Sequence, residues 1–294
     1  MSYHVEFNNV SKKFKNFEAI KEVSFKLEHG KTYGLIGRNG AGKTTLLSLL
    51  ASFQLPSSGQ ISVNGEDPFE NRRIMSEINF VYEVDYSNEY DTVTDYLEAT
   101  ESYRPNFDQE YANKLVELFE LPLDKPIRDF STGMQSALNI ILGFASRCPI
   151  TIFDEVYLGM DAPSRELFYQ EVIEEQNRNP RILILSTHLV SEMDYLFDHV
   201  LILNRGEMMI DESFDQVIQR GASITGDAGV VDAFAAPFNI LNSQQLGRTK
   251  SVMVYGEINA EKQIEAKRLD LEIGPLALQD LFIHLTKKER SHEA

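Results

Sequence analysis

Apolar and polar positions alternate through "YHVEFNNV", "AIKEVSFKL" and "GQISVNG", with Asn and Gly between the runs. That pattern predicts β structure at the start of the chain. Set into it, "KTYGLIG" reads as a strand and "AGKTTLLSLLASF" as a helix; the switch from a period of two to a helical period falls on the glycines. From about 83 to 146 the pattern turns helical, and "DTVTDYLEATESY" and "DQEYANKLVELFEL" predict amphipathic helices rich in Asp, Glu and Tyr. Two apolar strands follow, "PITIFDE" and "RILILSTH", separated by the helical "PSRELFYQEVIEEQN". A strand, a helix and a second strand imply a right-handed crossover within a parallel sheet.

The pattern changes again near Gly206. From about 216 onward the predicted order is a strand at "ASIT", a helix at "DAGVVDAFA" and strands at "NILNSQQL" and "SVMVYGE". A helix at "AEKQIEAK" and a strand at "LDLEIG" complete it. That β-α-β-β-α-β order is the split arrangement of ferredoxin-like domains, closed by an apolar helix at "LALQDLFIHLT". The expected organisation is an α/β domain over residues 1–215 and a small α+β domain over 216–294.

Composition narrows the function classes. Hydrophobic residues make up 43% and charged residues 25% of 294, ordinary globular usage, with disorder expected only in the tail "KKERSHEA". The net charge of −17 disfavours a nucleic-acid backbone as partner. The single cysteine, Cys148 in "SRCPITIF", excludes an internal disulfide and reads as a buried, inert thiol, in keeping with a reducing cytosol. No apolar run approaches the ~20 residues that span a bilayer, and "MSYHVEFNNV" lacks the layout of a signal peptide. Action at a membrane would need a partner that supplies the spanning part.

The chemistry begins at "GLIGRNGAGKTT", where Gly37, Gly42, Lys43 and Thr44 satisfy G-x-x-x-x-G-K-[ST]. Glycines let successive N–H groups curl around phosphate oxygens, and a helix starting near Gly42 aims its positive end at the same place. Lys43 can reach the β and γ phosphates, and Thr44 can place its hydroxyl on Mg²⁺. Chance would produce the spacing in roughly one chain of this length in a hundred, so the loop is assigned to a nucleoside triphosphate. Kinases, GTPases and transport ATPases share it.

Three further pieces surround the loop. The strand in "PITIFDEVYLGMD" ends in Asp154 and Glu155; a carboxylate at a strand's carboxyl end sits beside such a loop. Asp154 is expected to hold Mg²⁺ through water, and Glu155 to polarise an attacking water as general base. The strand in "RILILSTHLVSEMD" ends at His188, in step with that pair and a candidate γ-phosphate contact. "FSTGMQ" is a polar turn before the helix "ALNIILGFAS", where a Ser and a Gly could bind an anion.

These four pieces, in this order and spacing, resemble the ATP-binding subunit of an ABC transporter. "GRNGAGKTT" resembles the Walker A motif, with Gly37, Arg38, Asn39, Gly40, Ala41, Gly42, Lys43, Thr44 and Thr45 as its nucleotide-binding residues. "FSTGM" resembles the signature, "TIFDE" Walker B, "GMD" the D-loop and "STH" the H-loop. The resemblance covers about residues 3–215. It implies a P-loop NTPase cassette with a RecA-like core, an antiparallel β-subdomain and a helical subdomain at about 83–146. It further implies that Phe14 stacks on adenine, with Phe17 as the alternative, and that ATP lies between two cassettes packed head to tail. Ser131 and Gly133 would then touch the γ-phosphate held by the other subunit, and Asp161 would set the register.

The chain departs from the family pattern in places. Glu83, in "NFVYEVD", stands where the Q-loop glutamine is expected and could still bind Mg²⁺. Thr132 and Met134 replace Gly and Gln, Ala137 replaces Arg, and Val156-Tyr157 replace Pro-Thr. Glu155 and His188 are kept, so ATP hydrolysis is expected. The implied partners are an integral membrane permease and a second ATP-binding subunit, at the cytoplasmic face of a bacterial membrane. The permease would dock beside the Tyr-rich segment from Glu83 to Tyr111, drawn by Asp85, Glu89 and Asp91. "STGM" and the ending "PLALQDLFIHLTKKE" are similar to Gram-positive exporter ATPases of the bacitracin-resistance, Ytr-like and phenol-soluble-modulin groups. Export of amphipathic peptides or envelope-active compounds would follow. A non-transport ABC clamp and a P-loop kinase are the competing classes. The single cassette, the absence of heptads and the acidity count against the clamp. "STGM" and "STH" are not needed by the kinase.

Overall fold

The computed structural model describes residues 2–287, so most of the tail expected to be disordered, 288–294, lies outside the described residues. The chain opens with β1 (His4–Phe14) and β2 (Phe17–Glu28), a hairpin whose alternating burial follows its alternating sequence. β3 (Thr32–Ile36) leads through the glycine loop into α1 (Lys43–Leu50). β4 (Ser58–Val63) returns to pair with β1, completing a three-stranded antiparallel sheet ordered β2-β1-β4. After α2 (Arg72–Glu77) and β5 (Ile78–Val81) come α3 (Val93–Tyr103), α4 (Gln109–Leu118) and α5 (Thr132–Ala145), the helical layer.

Alternation then gives way to continuous burial. β6 (Ile150–Asp154), α6 (Ala162–Arg178), β7 (Ile182–Thr187), α7 (Val190–Met193), β8 (His199–Asn204) and β9 (Glu207–Ser213) complete a six-stranded sheet. Its order is β5-β6-β7-β3-β8-β9, with only the β8–β9 pair antiparallel. β3, β6 and β7 are buried at every position, as a parallel sheet covered on both faces requires. The register Ile36↔Thr187 and Asp154↔Ser186 brings the carboxyl ends of β3, β6 and β7 level. The residues that follow, Gly37, Glu155 and His188, therefore leave the sheet side by side.

α8 (Phe214–Arg220), capped by Ser213, runs through the boundary expected at 215/216. Beyond it lie β10 (Gly221–Asp227), α9 (Ala228–Ala235), β11 (Asn239–Leu246), β12 (Thr249–Tyr255), α10 (Ala260–Arg268), β13 (Glu272–Pro275) and α11 (Leu278–Leu285). The sheet order is β11-β12-β10-β13, all pairs antiparallel, with α9 and α10 closing a small apolar core over it. α11 belongs elsewhere: Leu278, Leu281 and Phe282 are buried in the main core together with Val190 and Met193 of α7. Cys148 is buried, and burial pushes its thiol up in pKa. No helix among the described residues is long and apolar enough to cross a membrane.

Candidate active site

Two glycines make the loop possible. Gly42 sits at φ 109°, and a Cβ there would stand 2.7 Å from the Ala19 carbonyl. A Cβ on Gly37 would stand 2.8 Å from the Leu203 carbonyl. Between them, Arg38, Asn39 and Gly40 are exposed at the crest of the loop, and Ala41 is buried. Lys43, only 6% exposed, folds back so that its Nζ donates to the Gly37 carbonyl at 2.7 Å. Thr45 follows on the first turn of α1. A lysine with so little exposure needs an anion, and Glu155 supplies it at 3.0 Å.

Glu155 lies just beyond β6 in a left-handed conformation, φ 54°. That geometry is uncommon for a residue with a side chain and collects at functional sites. Its Oε1 takes both Lys43 Nζ and, at 3.1 Å, His188 Nδ1. Burial raises the carboxyl's pKa, but the His188 hydrogen bond and Lys43 outweigh it and hold the group below the ordinary carboxylate value. Next to it, the Thr44 hydroxyl donates to Asp154 Oδ2 at 2.7 Å, while Asp154 Oδ1 is buried without a partner among the described residues. Two hard oxygen donors, one with unmet capacity, suit a small hard cation such as Mg²⁺. No group of three or more His, Cys, Asp or Glu side chains able to hold a metal occurs among the described residues. A Mg²⁺ bound mainly through water and phosphate oxygens needs none.

The signature residues are built differently. The Ser131 side chain accepts from Met134 N at 3.3 Å as the N-cap of α5. Gly133 packs on the D-loop backbone: a Cβ there would meet the Gly159 carbonyl at 3.0 Å. Ser131 is exposed, and none of its hydrogen bonds among the described residues reaches the loop at 37–45. Thr132 and Gln135 of the first turn of α5 line the same pocket as Glu155.

Comparison with known proteins gives the arrangement its family. The ABC transporter family model matches residues 20–157. The bacitracin transport ATP-binding protein BcrA of Bacillus licheniformis is 30% identical over 235 residues, covering 75% of this chain and 73% of that protein. This chain is a member of the ABC transporter ATP-binding proteins. The YtrB protein of Bacillus subtilis, an ABC transporter ATP-binding protein, is 27% identical over 289 residues, spanning 95% of this chain and 97% of that one. A solved ATP-binding subunit of an ABC transporter superposes with a TM-score of 0.66 at 24% identity, covering 72% of this chain and 91% of that structure. A dimeric cassette bound to ADP and Pi superposes with a TM-score of 0.62 at 19% identity, covering 71% and 98%. At those identities the likeness establishes the P-loop cassette fold, and membership of the family makes this chain an ATPase that binds nucleotide.

Within the cassette, Phe14 ends β1 and Phe17 begins β2, on either side of a tight turn. Both are exposed, at 43% and 63%, and neither is a core residue. The Lys12 ammonium lies 5.1 Å from the Phe14 ring centroid. Glu83 follows β5 and is exposed; it shares a pocket of about 250 Å³ with Glu155, Gln135 and Asn139, but it makes no hydrogen bond to Thr44 or Asp154. Asp161 caps α6, its side chain accepting from Ser164 N at 3.0 Å. Ala137, where the family usually has Arg, is buried at 3% exposure against the core. A charged replacement would be unpaired there.

One positioning residue escaped the sequence reading. Tyr157 is 1% exposed and its hydroxyl pairs with the Thr187 hydroxyl, which also accepts Leu189 N at 2.9 Å. These contacts bracket His188 from both sides. The signal was present in "DEVYLG", where a bulky aromatic stands at a position the family usually fills with Thr, but a lone Tyr reads as core packing.

Proposed function

We propose that this ATPase is the motor subunit of an exporter and works as a pair. Two cassettes close over two Mg-ATP molecules, each phosphate loop facing the other subunit's α5. The exposed Ser131 cap, which makes no hydrogen bond to this chain's own phosphate loop, supports this reading, because it is left free to meet a second copy. Phe14 stacks on the adenine, the loop's exposed crest from Arg38 to Gly40 meets the phosphates, and Asp161 sets the register between subunits.

The chemistry follows from the Lys43–Glu155–His188 chain. A triphosphate oxygen competes with Glu155 for Lys43, and when it wins, the Glu155 carboxylate is released to take a proton from water. His188 donates from Nδ1 to Glu155. Its other ring nitrogen is left for a phosphate contact. Thr44 and Asp154 would hold Mg²⁺, which neutralises developing charge on the phosphates. Lys43 and the partner's α5 stabilise the same charge, so catalysis is mostly placement and electrostatics. Glu83 lines the same pocket as Glu155 and adds a second carboxylate to it.

Hydrolysis then drives a separate permease at the cytoplasmic face of a bacterial membrane. The exposed Phe53 and Tyr82 and the half-buried Phe80 form an aromatic cluster with centroids 5.1–5.9 Å apart, and acidic Asp85, Glu89 and Asp91 follow Tyr82 in the sequence. An apolar, basic cytosolic loop complements that surface. The names of the bacitracin transport relatives support export of amphipathic peptides or envelope-active compounds. The test of the pair is the hydrolysis rate per chain against chain concentration, with Ser131→Ala alongside. The rate should rise with concentration to a plateau and fall at least tenfold in the variant. A rate independent of dilution, with Ser131→Ala equal to wild type, would refute the pair.

A further inference from the structure

The helix that follows His188 has a peculiarity. α7 is a single turn, Val190–Met193, and its N-cap residue, Leu189, offers no side-chain acceptor. The first-turn N–H groups of a helix need an acceptor, normally an Ser, Thr, Asp or Asn at the N-cap bonding the second or third residue. Here the second helical residue, Ser191, donates its N–H to Gln279 Oε1 at 3.2 Å. Gln279 stands on α11, 88 residues further along the chain.

The contact is anchored. Leu278, on one side of Gln279, and Leu281, two residues on, are fully buried, and Phe282 is 7% exposed, in the same apolar cluster as Val190 and Met193. The far end of α11 reaches the phosphate loop, where Thr286 lines a cleft of about 280 Å³ with Arg38, Asn39, Gly40, Ala41 and Arg205. The C-terminal helix therefore contacts the turn after His188, and the residue that follows it lines a cleft shared with the crest of the nucleotide loop. Tyr157 and Thr187 fix the strand side of His188; on the helix side Gln279 takes the Ser191 N–H, while Glu192 accepts from the Tyr169 hydroxyl at 3.2 Å and pairs with Arg165 at 3.3 Å.

We propose that Gln279 is a positioning residue for His188. It supplies the cap that α7 lacks, fixing where the turn leaves β7 and so where the imidazole stands relative to Glu155. The C-terminal region then takes part in ATP turnover without touching nucleotide, and a partner that shifts α11 shifts the rate. This rests on the reading of His188 as a phosphate contact.

The full chain carries the test. In Gln279→Ala, kcat for ATP hydrolysis should fall about two- to tenfold, the rate equivalent of one hydrogen bond. KM for ATP and the thermal unfolding midpoint should stay at wild-type values. Gln279→Glu keeps an acceptor, and a negative charge is favourable at a helix N-terminus; it should restore kcat to within twofold of wild type. An unchanged kcat in Gln279→Ala overturns the inference. So does a fall that Gln279→Glu shares, or one matched by a lower unfolding midpoint. His188→Ala, measured in parallel, should lose at least a hundredfold. If it keeps wild-type kcat, the phosphate-contact reading has failed, and the inference with it. If it is inactive while Gln279→Ala is normal, only the inference has failed.

Discussion

Glu155→Gln isolates the charge at the centre of the site. In the wild type one oxygen takes Lys43 Nζ at 3.0 Å and His188 Nδ1 at 3.1 Å. At an effective dielectric near 20, two unit charges at that separation attract by about 5 kcal/mol before desolvation, which offsets much of it. Glutamine keeps the shape and one acceptor oxygen but loses the charge and the proton affinity. Two effects follow. Lys43 is freed for the triphosphate, so ATP should bind as tightly as to wild type or more so. The attacking water loses its base, which is worth about 10²–10⁴ in rate, or roughly 3–5 kcal/mol of barrier. The assay is phosphate release under saturating ATP, beside equilibrium binding of ATP to the same preparation. Size measured with ATP present should show the variant held as a pair. Hydrolysis within twofold of wild type, with binding intact, would remove Glu155 from the role of base.

Three further outcomes can be checked. Glu175 is fully buried and bridges Arg147 and Arg181, the latter at 3.2 Å; Glu175→Ala strands a buried guanidinium and should cost about 3–5 kcal/mol in chemical denaturation, whereas a loss under 1 kcal/mol would mean the pair is solvated. Because the Glu155 carboxyl is depressed in the folded chain, its ionic contribution to stability is present above the ordinary carboxylate value and disappears only as pH falls through the lower, folded one. The stability gap between wild type and Glu155→Gln, followed by thermal unfolding, should therefore persist down to about pH 4.3; a gap that closes between pH 8 and 6 would contradict the assignment. Phe14→Ala should raise KM for ATP about five- to a hundredfold, from a base–aromatic stack of about 1–3 kcal/mol, with Phe17→Ala near wild type; the reverse ranking would move the stacking role across the turn.

Much of the site could be read from local spacing. G-x-x-x-x-G-K-T, a buried strand ending in Asp154-Glu155 and another ending at His188 are short, contiguous patterns whose chemistry follows from covalent adjacency. The strands and helices after Gly221 were legible for the same reason, since each carries its own period. Shorter or blander elements were not. α2 buries only Ile74 over six residues, too few to display a period, and α8 runs across the position where a boundary had been drawn.

What the chain alone determined, then, is that the glycine loop, Asp154-Glu155 and His188 each follow or close a strand. Which strands stand together is a tertiary matter: β3 lies between β7 and β8, and only the register Ile36↔Thr187 with Asp154↔Ser186 brings Lys43, Glu155 and His188 within one hydrogen-bonded chain. The supports of His188 belong to the same class, Tyr157 from 30 residues away and the Ser191–Gln279 bond across 88. Periodicity reports how a side chain faces the nearest core, and it carries no information about which distant segment forms that core. Partners remote in sequence are chosen by burial and by the need of each buried polar group for a mate, and those choices exist only once the chain has folded.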